Sequence, residues 1–389
     1  MEYPPEIDLA SLPRSIQLLP AVYAIAPLAW AAGGRYSLEG LDERTAAALG
    51  LLRAELRRVN PAASWSGEVV APNPVRVAPL PKARSEAGLL FSTGVDSTST
   101  AIQHRAEALV LISVGLDDDQ PVARWRADMA EAERFAAASG KPHVVVRTNA
   151  RSFVDRAIDQ RQPSLRPWWP KVAHGMALCG AGAPVVFRYG AARLYIAATH
   201  GGGFERPWGS TPRLDPLIAI GDAAVIHDGY ERSRFARVQT VVAGSGDDGI
   251  PFALRVCHHV TQGARNCGVC EKCVRTQIAI ILAGGDPRQH GFPSYDASVS
   301  LIARDALETL RWPLDGGLVV YWQELIAASR QRDAGLPSHD ADLEWLNRLD
   351  LSGYIKQRLV RGRARRRRRA LRRLTHGVGR RLRRLAPDS

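Results

Sequence analysis

Leu89-Leu90-Phe91-Ser92-Thr93-Gly94-Val95-Asp96-Ser97-Thr98-Ser99-Thr100 is the stretch on which the fold turns. Its apolar start reads as a buried strand, its middle as a loop of small residues carrying hydroxyls and one acid, and its end as the opening of a helix. A strand that passes through such a turn directly into a helix is the first unit of a parallel sheet. The loop chemistry suits a phosphate. Ser92, Thr93, Ser97 and Thr98 offer hydroxyls, Gly94 lets the backbone approach closely, and the positive end of the following helix adds N–H donors. Asp96 is electrostatically wrong for bare phosphate, so it points to a bridging Mg²⁺ shared between carboxylate and phosphates. A plain Ser/Thr helix cap explains the same residues and stays open as the alternative.

Working outward, apolar runs at Gly88 to Phe91, Ala108 to Val114, His143 to Val146 and Leu194 to Ala198 alternate with helical patterns, one of them Val122 to Ser139. Buried strands alternating with helices imply an α/β domain with a doubly wound parallel sheet over residues 86–290. Residues 1–85 read as a small α+β unit. In it the expectation is a core strand and loop over Leu18 to Ala32, which Pro20 and Pro27 interrupt, a helix from Asp42 to Arg58, and strands Gly67 to Ala71 and Val75 to Ala78. Extension of the main sheet is the alternative for this unit. The stretch Pro79 to Glu86 reads as a linker. Beyond the cysteine cluster the chain reads as helix, over Val274 to Leu282 and then, in a helical region at residues 291–355, over Ser298 to Leu310, Val319 to Ser329 and from Asp340 onward.

Cys257, Cys267, Cys270 and Cys273 make the most specific pattern in the chain. Four thiolates at these spacings suit tetrahedral Zn²⁺, with two overlapping C-x-x-C steps and a turn at Gly268 presenting three sulfurs to one ion. Arg255, Arg265, Lys272 and Arg275 flank the cluster and would offset its negative charge. An iron–sulfur cluster is the rival reading. Cys179 lies outside the pattern and reads as a core thiol.

The net charge of +13 is concentrated at one end. Residues 356–389 hold fifteen Lys or Arg against one acid, so the preceding 355 residues sum to −1. The folded body is nearly neutral, which removes the reason to read it as a nucleic-acid-binding surface. In the tail, Leu371, Leu374, Val378, Leu382 and Leu385 fall at helical spacing among arginines. Over residues 358–385 that pattern suits RNA phosphate or an anionic membrane as partner, with a solvated basic end as the bland alternative. Clustered cysteines and acids rather than bases near the start favour the cytoplasm.

The hexapeptide Ser92 to Ser97 resembles the Ser-Gly-Gly-x-Asp-Ser loop of the PP-loop N-type ATP pyrophosphatases, the adenine nucleotide alpha hydrolase-like superfamily. That group includes 7-cyano-7-deazaguanine synthase, tRNA thiolation enzymes and asparagine synthetases. The match departs at Thr93, where the family usually has glycine. Cys257 to Thr276 resembles the zinc segment of 7-cyano-7-deazaguanine synthase, and the whole resemblance covers roughly residues 89–285. It implies a HUP-type sheet and ATP with Mg²⁺ held by Ser92, Thr93, Gly94, Val95, Asp96 and Ser97. Ser113 and Gly115 would line the nucleotide site, Asp96 and Ser97 would act in catalysis, and Zn²⁺ would sit on the four cysteines. The implied activity is an AMP-forming ligase or amidating enzyme that adenylates a carboxylate or amide oxygen of a small acid. A tRNA-thiolating enzyme and a nucleotide-binding scaffold without turnover are the alternatives. His200, Arg206, Arg213, Asp215, Arg234 and Arg237 are further candidates for gripping phosphate or an acidic substrate.

Overall fold

The computed structural model describes residues 1–116, 122–151, 162–201, 206–245, 252–257, 266–314, 316–332, 342–358 and 360. The protein is an α/β structure around a five-stranded, all-parallel sheet. Its strands are β3 (Ala87–Leu90), β4 (Leu109–Leu116), β5 (His143–Thr148), β6 (Arg193–Ala197) and β7 (Ala224–Asp228), in spatial order β5-β4-β3-β6-β7. Four of these match the expected apolar runs with ends shifted by at most two residues, and β7 is an addition. Strand residues alternate between two cores. Val110 and Ile112 enter one with Leu90, while Leu109 and Leu111 enter the other with Ala87 and Leu89. Burial on both faces explains why the strands read as continuous apolar runs rather than as alternation.

Helices cover both faces. On one side lie α3 (Val95–Gln103), α4 (Val122–Ala138), α6 (Arg234–Gly244) and α7 (Glu271–Leu282), contributing Ala101, Phe135, Val241 and Ile278 to the core. The helices α8 (Ser298–Glu308) and α9 (Gly316–Arg330) extend that core through Val299 and Trp322. On the other side α5 (His174–Arg188) packs on the sheet, and α1 (Arg14–Ala32) packs on α5. α5 is rich in Gly and Ala and is buried along most of its length, so it carries no polar stripe for periodicity to detect.

The sequence expectation fails at α1. Leu18 to Ala32 is not strand and loop but part of one helix that contains both Pro20 and Pro27. An interior proline costs about 3 kcal/mol. Against this the helix buries Ile16, Leu19, Tyr23 and Trp30, each at 1% exposure or less, worth about 1.5–3 kcal/mol per large side chain. Tertiary burial outweighs local propensity. The helix is long and apolar enough to cross a membrane by length and composition, but 67% of its most apolar window is buried inside the protein.

The rest of the first 85 residues comprises β1 (Arg35–Ser37), α2 (Glu43–Val59) and β2 (Glu68–Val70), with β1 and β2 paired in a separate parallel ribbon. Asp42 caps α2 by accepting from the Thr45 N–H at 2.9 Å. The strand expected at Val75 to Ala78 reduces to one bridge between Val75 and Asp42. Leu41, Leu49, Leu52 and Leu56 join the same core as α1, α5 and one face of the sheet.

Candidate active site and metal centre

The chain runs from β3 through β4 to β5 on one side, and then α5 carries it back across the other face to β6, β3's remaining neighbour. Where strand order reverses in this way, loops leaving the two central strands diverge and open a crevice at their carboxyl ends. The loop at residues 92–97 leaves β3 into that crevice, and Ala198 and Thr199 leave β6 into it. A cavity of about 340 Å³ lies there, lined among others by Ser92, Gly94, Val95, Asp96, Ser97, Ser113 and Gly115.

Two of the four expected hydroxyls meet the cavity. Ser92 is exposed at its mouth, and Ser97 Oγ stands 3.2 Å from Ser92 Oγ and 3.1 Å from the Ser92 N–H. Gly94 caps α3, whose first turn supplies the N–H donors. Thr93 turns away: it is 2% exposed, donates its hydroxyl to Ser92 O at 2.6 Å, and has φ +57°. A β-branched residue in the left-handed region is strained, and glycine would adopt that backbone freely. The Arg255 N–H donates to Thr93 O at 2.8 Å and clamps the turn. Thr98 is likewise buried and absent from the cavity wall.

Asp96 is engaged otherwise than as a ligand reaching for Mg²⁺. Its Oδ2 pairs with Arg234 Nη1 at 2.9 Å, and its Oδ1 accepts from Arg237 Nη1 at 2.8 Å. Arg237, 3% exposed, also donates to the carbonyls of Ala198, Gly229, Arg232 and His200. One buried guanidinium thus ties the first turn of α3 to the loops after β6 and β7. With both carboxylate oxygens occupied by arginine, Asp96 as arranged does not fit a metal ligand, and the positive charge facing the loop comes from side chains.

Those side chains are five cations against two carboxylates. Arg124, Arg234, Arg255, Lys272 and Arg275 line the cavity with Asp96 and Asp128. Arg255 pairs with Asp128 at 2.6 Å, and Arg275 donates to Glu271 at 2.7 Å while lying 4.7 Å over the Tyr321 ring. Lys272 is pushed down to about 8 by burial and by Arg234 and Arg275 nearby. Trp125, Met129, Trp169 and Leu178 also line the cavity. A Cβ on Gly115 would lie 2.3 Å from Trp125 Nε1, so the glycine is what admits the indole. Ser113 lines the cavity, but its hydroxyl is spent: it donates to Phe91 O at 2.8 Å and lies 2.9 Å from His143 Nε2.

The four cysteines come together as their spacing requires. All four sulfurs lie within 4.8 Å of one another, with Cys257 to Cys270 and Cys267 to Cys273 both at 3.8 Å. Zn–S bonds of about 2.3 Å in a tetrahedron put sulfurs about 3.8 Å apart, so the set is placed to hold a metal ion such as zinc. A four-iron cluster interposes a separate iron behind each thiolate and needs wider spacing. Asn266 joins the two limbs: its Oδ1 accepts from the Val256 and Cys257 N–H groups at 3.1 Å, and its Nδ2 donates to Leu254 O and Gly291 O. Gly268, at φ +74°, makes the turn between Cys267 and Cys270. A hydrogen bond with the Cys273 thiol holds Cys270 down to about 5 and raises Cys273 in turn. Thiolate is the metal-binding form. Cys257 also lines the cavity, and its carbonyl accepts from Arg124 Nη2 at 2.6 Å, so the metal segment forms one wall of the cleft.

The remaining candidates separate. Arg234 and Arg237 belong to the cleft, whereas His200, Arg206 and Arg213 line a neighbouring cavity over Asp215. His200 is a hydrogen-bonding residue, its Nδ1 3.1 Å from Tyr321 Oη, and is lowered to about 4 by burial and by Arg206. Cys179 is a fully buried core thiol on α5, raised well above its ordinary range by burial. Arg255, Lys272 and Arg275 face the cleft rather than the sulfurs alone, and Arg265 lies outside the described residues. The arginine-rich tail beyond residue 360 also lies outside them. Trp125, Asp128, Tyr321 and His227 carry no motif, and no signal in the sequence singles them out. No family model matches this chain, and no curated protein matches it.

Proposed function

We propose that the protein binds ATP in the cleft after β3 and uses it to adenylate a small-molecule acid, as a PP-loop-type ligase or amidating enzyme. The observation that carries this reading is the placement of the Ser92 and Ser97 hydroxyls and the α3 amides, at the switch point of a parallel sheet, in one cavity with Arg234, Lys272 and Arg275. Donors and cations lining one pocket suit a polyphosphate. Trp125 and Trp169 in the same lining suit a purine.

In the reaction a carboxylate oxygen of the acid attacks the α-phosphorus, the bond to the bridging β-phosphate oxygen breaks, and pyrophosphate leaves. A nucleophile such as ammonia then displaces AMP from the acyl adenylate. The loop donors and cations stabilise the charge that develops on the leaving pyrophosphate, and their fixed positions avoid reorganisation during the step. Because Asp96 is held by Arg234 and Arg237, its role is to fix those guanidinium groups in place. Cys257, Cys267, Cys270 and Cys273 would hold Zn²⁺ with four thiolates, leaving it no open position, so that its part would be to brace the cleft wall.

The test is pyrophosphate release by purified protein given Mg²⁺-ATP and a panel of carboxylic acids. Asp96→Asn removes the carboxylate charge that pairs with both arginines and is expected to lower the rate by about 100-fold or more. Release that persists in the variant sinks the assignment. A second reading, nucleotide binding without turnover, is favoured by the occupied Asp96 carboxylate. ATP bound with neither AMP nor pyrophosphate formed across the panel would select it.

A further inference from the structure

The cavity beside the cleft holds about 280 Å³ and is lined in part by His200, Arg206, Trp208, Ser210, His227 and Tyr230. At its base lies Asp215, at 0% exposure. Asp215 Oδ2 accepts from Ser210 Oγ at 2.7 Å and is 2.7 Å from His227 Nδ1. The order of these bonds decides the chemistry. Serine and histidine both face the carboxylate rather than each other, so no serine nucleophile is activated. Instead Asp215, an acceptor, takes the Nδ1–H of His227, and in the neutral ring the acceptor is then Nε2. A carboxylate withdrawn this far from water needs such partners.

The cavity wall is basic. Arg58 and Arg213 share one carboxylate, Glu55, at 2.7 and 3.0 Å. Arg206, half-buried, lies 4.8 Å over the Trp208 ring and has no hydrogen-bond or ion-pair partner among the described residues. A guanidinium that meets only an aromatic ring keeps its full donor set for an anion. The wall towards the nucleotide cleft is closed by His200, bonded to Tyr321, whose hydroxyl donates to Thr199 O at 2.9 Å. Thr199 faces the cleft and His200 faces this cavity, so the two spaces adjoin but differ.

We infer that this cavity is a second ligand site, for a planar anionic molecule that also bears an N–H or O–H donor. Arg206 takes the anion, the aromatic walls take the ring, and His227 Nε2 takes the donor. The inference goes beyond the nucleotide reading and does not require it, because it is tested without nucleotide.

The experiment is a ligand-observed NMR titration of the full chain with three probes: indole-3-carboxylate, the neutral indole-3-carboxamide, and 1-methylindole-3-carboxylate, which lacks the N–H. The acid is expected to bind about tenfold more tightly than either analogue, the loss of one charged or one donor contact. Arg206→Gln, at a half-exposed side chain whose loss the fold tolerates, is expected to erase the preference for acid over amide. Arg234→Gln, in the cleft, is expected to leave it. Equal binding of the three probes, no saturable binding of any, or a preference erased by Arg234→Gln and kept in Arg206→Gln would each overturn the assignment.

Discussion

The cysteine cluster and the loop after β3 form two walls of one cleft and are held in opposite ways. The cluster is local: four ligands fall within seventeen residues, with Asn266 clipping their backbone, and the group they suit, a single ion, completes them. The loop is not. Its clamp is Arg237, 141 residues from the Asp96 it binds, and further lining of the same cleft comes from α6 and α7. A metal centre can therefore be assembled from one short segment, whereas an anion site needs the whole sheet to bring its charges together. Damage to the two should differ accordingly.

Removing a metal ligand should do most harm. Cys273→Ser, at a sulfur with 0% exposure, is expected to abolish zinc binding and forfeit on the order of 10 kcal/mol of metal-coupled stability, read by elemental analysis and thermal melting. Retained stoichiometric zinc would break the four-ligand assignment. Arg237→Met comes next, at roughly 3–5 kcal/mol in chemical denaturation, because it removes a buried donor shared by four carbonyls and leaves Asp96 with Arg234 alone. It should keep its zinc, and that contrast sharpens the distinction between the two walls.

A pH titration is expected to give a smaller effect. His290, 1% exposed, is pushed down to about 4 by burial, so the unfolded chain binds the proton that the folded chain refuses. Stability is then full above an unfolded value of about 6.5 and falls towards pH 4, by roughly 1 kcal/mol per unit for this one group. His290→Leu should flatten that slope in urea melts. Thr93→Gly should change least. Relief of a strained φ of +57° is offset by loss of a buried methyl and of the bond to Ser92 O, so stability should stay within about 1 kcal/mol. A loss of several kcal/mol would mean that the threonine, not the backbone, shapes the turn.

How much of this was legible follows from range. Leu89 to Phe91 announced a strand and the cysteines announced a metal set, because hydrophobic runs and ligand spacings are written locally. α5 and β7 were silent, the first for want of a polar face. α1 misled, because its prolines signalled breaks that the burial of Tyr23 and Trp30 overrides. At the site, Ser92, Gly94 and Ser97 line the cleft, but neither the pairing of Asp96 with Arg234 and Arg237 nor Trp125 over Gly115 could be read without the sheet. The Asp215 and His227 pair is likewise a product of folding, since no spacing marks it.

The central claim is that the turn after β3 grips the phosphates of a nucleotide. The most direct measurement is calorimetric titration of the zinc-loaded full chain with a non-hydrolysable ATP analogue and Mg²⁺, alongside Ser97→Ala. One saturable site per chain is expected, weakened about tenfold or more in the variant with zinc content unchanged. Absence of binding by the native chain, or equal affinity in Ser97→Ala, would contradict it.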